Sequence, residues 1–214
     1  MRAPLLILTI ACLPGTHAWP PDAQVTAQPV RLLSCAHTFA ADVTAGRLRE
    51  QFGTAEVVTE EIAFPEGAHE PGTVLFPHSP RDRIMIVWKH RHDQRMPRGV
   101  FIHGDKSTWR TISGLTLGLH LRTLEKMNRR PFRLTGFAWD YDGTVMSWSG
   151  GALAASGSPD CGVRARLRPD APEGSDDRRR SYWQVLGARE FSSGHPAMQT
   201  LNPTVYEVWL DFGR

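Results

Sequence analysis

Histidines, serines beside glycine, paired aspartates and a small set of aromatic residues are the groups in this chain whose spacing could do chemistry. His90 and His92 alternate around Arg91 with Asp93 next in line, so a strand carrying them would place both imidazoles on one face, as a metal site needs. The pair stands beside Arg95 and Arg98, no second dense ligand set accompanies it, and neither H-E-x-x-H nor C-x-x-C occurs. No metal and no other cofactor is therefore expected. Ser147 and Ser149 precede Gly150-Gly151 but do not match the G-x-S-x-G elbow that exposes a nucleophile. Ser192-Ser193-Gly194-His195 puts a hydroxyl near an imidazole in sequence, whereas catalytic pairs meet through the fold. Asp140 and Asp142 lack the other oxygen ligands and the distal Glu of a calcium loop, and turn formation accounts for them. Trp139, Tyr141 and Trp148 gather around that turn, and flat aromatic side chains supply contact area at low entropic cost. Trp139, Tyr141, Asp142 and Trp148 are the candidate binding residues.

These residues must be positioned by a mixture of helices and strands. Asp42-Val43-Thr44 offers an N-cap, Leu48 and Phe52 sit four apart, and Gly53 is a stop, which predicts a helix of about three turns. The pattern then becomes extended. Val57 to Phe64 is strand-like until Pro65-Glu66-Gly67 breaks it, Gly72–Phe76 resumes it, and Arg83–Lys89 is the clearest strand of all. A loop holding His90, His92, Pro97 and Gly99 leads to a strand over Val100–His103. The order then starts again. Leu117, Leu121, Leu124 and Met127 form a helical stripe, with Asn128 as a left-handed stop before Pro131. Strands are predicted over Phe132–Trp139 and Thr144–Trp148, joined by the Asp142-Gly143 turn. Further strands are predicted over Cys161–Leu167, Tyr182–Leu186 and Val205–Phe212, the last as an edge or final strand, and the run Arg178-Arg179-Arg180 reads as solvated loop.

The amino terminus reads as an export signal. Arg2 precedes the apolar run Leu5–Leu13, Pro14-Gly15 follows, and Thr16-His17-Ala18 provides small residues for cleavage. The run is too short to cross a bilayer of about 30 Å. Cys12 leaves a lipid anchor as an alternative, although Thr9 stands where lipoprotein signals place Leu. Removal of residues 1–18 leaves Cys35 and Cys161, which an oxidising compartment would join as one disulfide. The expected location is periplasmic or secreted, without a membrane span.

Composition agrees with a folded domain. Of 214 residues, 41% are hydrophobic and 22% charged, which excludes a mainly disordered chain. The formal charge is +3, and among 25 Lys+Arg only Lys89, Lys106 and Lys126 are lysines. An arginine habit of a GC-rich genome explains this without a nucleic-acid partner, and none is expected.

Thr44-x3-Leu48-x3-Phe52-Gly53 leading into a β-meander, with Gly114-Leu115-Thr116-Leu117-Gly118 opening a later helix, resembles the repeating unit of the β-lactamase inhibitor protein and of the SmpA/OmlA outer-membrane assembly lipoproteins. Leu117–Gly151 is similar to a family of exported bacterial proteins with no assigned activity. The resemblance implies an α+β fold of two helix-plus-antiparallel-meander units forming one long sheet with helices on one face. The expected organisation is a signal peptide at 1–18, an extended leader at 19–30, a first unit at 31–113 and a second at 114–214. Such a fold leaves one sheet face open. The expected function is non-catalytic: protein binding or inhibition in the envelope, through that face and the 139–143 loop. The competing class is an envelope hydrolase, favoured if Ser193, His195 and a carboxylate converge in one cleft.

Overall fold

The structure is a computed structural model that describes residues 31–157, 160–170 and 175–213. The expected signal peptide 1–18 with Cys12, and the leader 19–30, lie outside the described residues. The first element is a two-residue strand β1 (Arg31–Leu32). Thr44 then caps α1 (Ala45–Phe52), its hydroxyl accepting from the Arg47 N–H at 3.2 Å, and Gly53 ends it at φ 90°. Cap and stop fall where the sequence puts them, but the helix has 8 residues, about two turns rather than three.

An antiparallel meander follows. It runs β2 (Val57–Ala63), β3 (His69–Leu75), β4 (Ile84–His90) and β5 (Arg95–His103), with the Pro65–Gly67 break between the first two. The remaining elements are β6 (Trp109–Arg110), parallel to β1, then α2 (Leu121–Asn128), β7 (Arg133–Thr135) and β8 (Val145–Ser147). After them come β9 (Gly162–Arg168), α3 (Asp176–Gln184), β10 (Glu190–Ser192), α4 (Pro196–Leu201) and β11 (Thr204–Asp211). The main sheet has six antiparallel strands in the order β2-β3-β4-β5-β11-β9, and β10-β7-β8 form a separate three-stranded sheet.

The α+β class is therefore observed, and helix-plus-meander describes the first part well. The described residues show no second copy of it. The strands predicted over Phe132–Trp139 and Thr144–Trp148 shorten to three residues each and pair with one another, and the first also with β10, instead of joining the main sheet. Ala138 at φ 63° and the turn at Gly143 bend the chain away. Tyr182 lies in α3, not in a strand. Ser175 caps that helix, Asp176 and Asp177 sit in its first turn, and each pairs with the arginine three residues on, Arg179 and Arg180, so the arginine run is helical rather than loop. Asn128 is the last residue of α2, and Arg129 takes the left-handed position at φ 62°. The last strand, β11, is interior, hydrogen-bonded to both β5 and β9.

Alternation along the strands sends one set of side chains to a single core. Ile84, Ile86 and Trp88 of β4, Val100 and Ile102 of β5, Ala165 and Leu167 of β9, and Val208 and Leu210 of β11 pack with Leu48 of α1, Leu121 and Leu124 of α2, and Met198 of α4. Polar atoms taken into this core are satisfied. Trp88 Nε1 donates to Thr73 Oγ1 at 2.9 Å, and the buried Asn128 donates to the Arg130 and Trp148 carbonyls while accepting from the Leu153 N–H. Cys35 and Cys161 form the expected disulfide, with Cα atoms 6.0 Å apart and a separation of 126 in sequence. It fastens the segment before α1 to the residue before β9. No helix among the described residues is long and apolar enough to cross a membrane.

Candidate functional site

The other face of the main sheet carries the side chains that the core does not take. On β9 these are Arg164 and Arg166, alternating with buried Val163, Ala165 and Leu167. On β11 they are Glu207, Trp209 and Asp211, and on β5 Gly99, Phe101 and His103. Register sets them side by side: Trp209 pairs with Phe101 and with Arg164, and Phe101 with Met85. The Phe101 and Trp209 rings stack at 6.1 Å with an 18° interplanar angle, and Phe64 meets Phe101 edge-on at 6.0 Å. Arg166 lies over Trp209 at 5.7 Å. A Cβ on Gly99 would come within 2.6 Å of the Phe101 ring, so glycine lets that ring lie flat on the sheet.

Around this aromatic floor the chain forms a groove of about 660 Å³, lined by strand and loop residues with none from the four α-helices. That size lies within the range of small-ligand and peptide-segment sites. One side carries an ordered charge lattice. Arg164 pairs with Asp211 at 3.5 Å, while Glu207 meets Arg166 at 3.6 Å and His103 Nδ1 at 3.2 Å. At the other end the Glu70 carboxylate, its side chain only 8% exposed, is gripped by Arg91 at 2.5 Å and by Arg98. Arg98 reaches it through a β-bulge. Pairing shifts from Val87↔Gly99 to Trp88↔Pro97, leaving Arg98 as the extra residue, and such bulges re-aim side chains.

The sequence-predicted binding residues divide. Tyr141, 39% exposed, lines the groove. Trp139 is half-buried, packs on Tyr141 at 5.5 Å and donates through Nε1 to the Gly136 carbonyl at 3.1 Å. Asp142 accepts from the Tyr206 hydroxyl at 3.2 Å, which ties the 139–143 loop to the sheet. Burial pushes the Asp142 carboxyl above the ordinary 3.8, opposed by the Tyr206 hydrogen bond and by Arg166. Tyr206 is pushed up to about 12, by burial first, with Asp142 adding to the rise. It sits at a second bulge, between Val205 and Glu207, with Arg168 over its ring at 5.2 Å. Trp148 is a correction. It is buried against Phe132 at 5.2 Å and its Nε1 donates to the Val163 carbonyl at 3.1 Å, so it serves the core and not the surface.

Phe64, Phe101, Trp209, Glu70, Arg91 and Arg98 were not singled out by spacing around the aromatic turn. Period two finds Trp209 among them, in Glu207-Trp209-Asp211, and beside it the arginines Arg164-Arg166-Arg168, each set alternating with apolar residues.

The alternative chemistries find no assembled site. Ser193 is fully buried, donates to Glu125 Oε1 at 2.6 Å and accepts from the Phe132 N–H at 2.9 Å. His195 Nδ1 instead accepts from the Ala197 N–H and caps α4. The three groups thus lie in one neighbourhood, with the hydroxyl committed to structure. His90 and His92 stand exposed at the β4–β5 turn, and among the described residues no group of three or more His, Cys, Asp or Glu side chains could hold a metal ion. Comparison of the chain with family models, curated proteins and solved structures finds no match.

Proposed function

We propose that the chain is an exported, non-catalytic protein-binding module of the bacterial envelope or its surroundings, inhibitor-like in using one concave face. The observation that carries this reading is the stacked Phe101–Trp209 pair on the open side of the sheet. Aromatic residues flanked by charged side chains on a concave, preformed surface have the composition of interface hot spots. The Cys35–Cys161 bond and the signal-like amino terminus support export, since structural disulfides persist in oxidising compartments. Tyr141 at the groove wall gives the 139–143 loop a part in recognition.

The test is a chemical-crosslinking pull-down from the envelope fraction with the wild-type chain and Trp209→Ala. An envelope protein recovered by the wild type and lost with the variant supports the reading. A truncated hot-spot tryptophan costs at least about 2 kcal/mol, roughly thirtyfold in affinity. Failure to recover any partner, together with turnover in a broad hydrolase screen, would overturn it in favour of an enzyme.

A further inference from the structure

The β3–β5 end of the groove holds more cation than the fold consumes. Two guanidiniums, Arg91 and Arg98, face the one Glu70 carboxylate. Lys89 shares a neighbouring hollow with both, and its Nζ donates to the Phe212 carbonyl at 2.9 Å instead of to an acid. Of the other carboxylates nearby, Asp93 pairs with Arg95 at 3.4 Å and Asp211 with Arg164 at 3.5 Å, while Glu66, which also lines the groove, is exposed to solvent. A guanidinium has five N–H donors in a planar fork, more than one shared carboxylate can fill. Glu70 thus holds two forks at the groove wall and leaves them a net positive charge. The aromatic floor lies at a defined span from them. Arg98 and Phe101 are three residues apart on β5, about 10 Å of extended chain.

We infer that the groove takes a partner segment carrying an Asp or Glu side chain about 10 Å from an aromatic or large apolar one. The carboxylate docks on Arg91 and Arg98, and the apolar side chain lies on Phe101 and Trp209. The inference rests on the protein-binding reading above and supplies its recognition chemistry. A peptide fits better than a hydrocarbon chain because Glu207 and Asp211 also face the groove. Backbone N–H groups can donate to the carboxylate lone pairs that Arg164, Arg166 and His103 leave free, whereas an alkyl tail would desolvate these ion pairs and add no hydrogen bond.

Panning a phage library of random heptapeptides on the full chain tests this, with Arg91→Gln and Trp209→Ala in parallel. Arg91 sits at a hairpin turn with its side chain 56% exposed, and Arg98 stays on Glu70 when it is replaced, so the variant is expected to fold with a lowered Tm, and binding is compared at equal folded fraction. Wild type should enrich sequences with Asp or Glu two to four residues from an aromatic. A synthetic peptide from that set should lose about tenfold in affinity when its acid becomes the amide, as a charge-assisted contact implies. On Arg91→Gln the same change should matter less than about twofold. Salt provides a second reading without any substitution: the acid peptide weakens with added NaCl and the amide peptide does not. Peptides that depend on Trp209 yet show no acid preference would overturn this inference and leave the groove as a binding site. No enrichment on wild type would overturn both.

Discussion

The Tyr206 hydroxyl donates to Asp142 Oδ1 at 3.2 Å, joining a residue at a bulge of the last strand to the turn that carries Tyr141. Together with the Leu167 N–H, which donates to the Gly143 carbonyl at 3.0 Å, the bond fastens the 139–143 turn to the main sheet. It has a pH signature. Burial raises the Asp142 carboxyl above 3.8, so the folded chain binds that proton more tightly than the unfolded one. Stability from this group is present below the unfolded value and declines as pH rises from about 4 through the raised value. Asp142→Asn keeps an acceptor for Tyr206 and removes that slope. The variant should be at least as stable as wild type at pH 7 and hold no advantage at pH 3, as read by denaturant unfolding across that range.

Asp82 should behave with the opposite sign. Burial pushes its carboxyl up, but hydrogen bonds from Thr108 and Ser79 and the Arg31 guanidinium at 3.4 Å outweigh burial and hold it below 3.8. A depressed carboxyl contributes stability above its unfolded value and loses it as pH falls through the folded one. Asp82→Asn should therefore cost about 1–2 kcal/mol at neutral pH, with the difference from wild type shrinking below about pH 4.

The disulfide closes a 126-residue separation, and the chain-entropy relation assigns such a loop about 5 kcal/mol. A Cys35→Ser, Cys161→Ser variant should unfold at markedly lower denaturant concentration. An unchanged midpoint would show that the bond constrains nothing in the unfolded chain.

Much of the fold was legible because its causes are local. Thr44, Gly53, the Pro65–Gly67 break and the β-branched run of β4 each act within a few residues, and each lies where the sequence places it. The start of α3 has a local cause as well, Ser175 as its cap with Asp176 and Asp177 in its first turn. The insertion of β11 between β5 and β9 depends on pairing with partners far away in sequence, which periodicity cannot specify. The site suffers in the same way. Tyr141 and Asp142 are found from the turn they occupy, but Trp148, between two serines, is buried and Trp209, between Val208 and Leu210, lines the groove, because the elements that cover each are distant in sequence. Arg98 reaches Glu70 only because a bulge resets the alternation.

Gly99→Ala separates groove from core. The added Cβ would sit 2.6 Å from the Phe101 ring, which must lift from the sheet and leave its stack with Trp209. Overpacking of this kind costs about 1–3 kcal/mol, so the variant should fold with a lowered Tm. Its partner binding should fall by more than its stability suggests. Equal binding at equal folded fraction would mean that the ring pair plays no part in recognition.

The most direct measurement of the groove's role is photo-crosslinking in cells that produce the protein, with benzoylphenylalanine in place of Tyr141 at the groove wall and, separately, in place of Trp183, which is 68% exposed on α3. The account predicts one discrete protein adduct from position 141, abolished by Trp209→Ala, and none from position 183. An adduct from position 183 with none from 141, or a 141 adduct indifferent to Trp209, would contradict it.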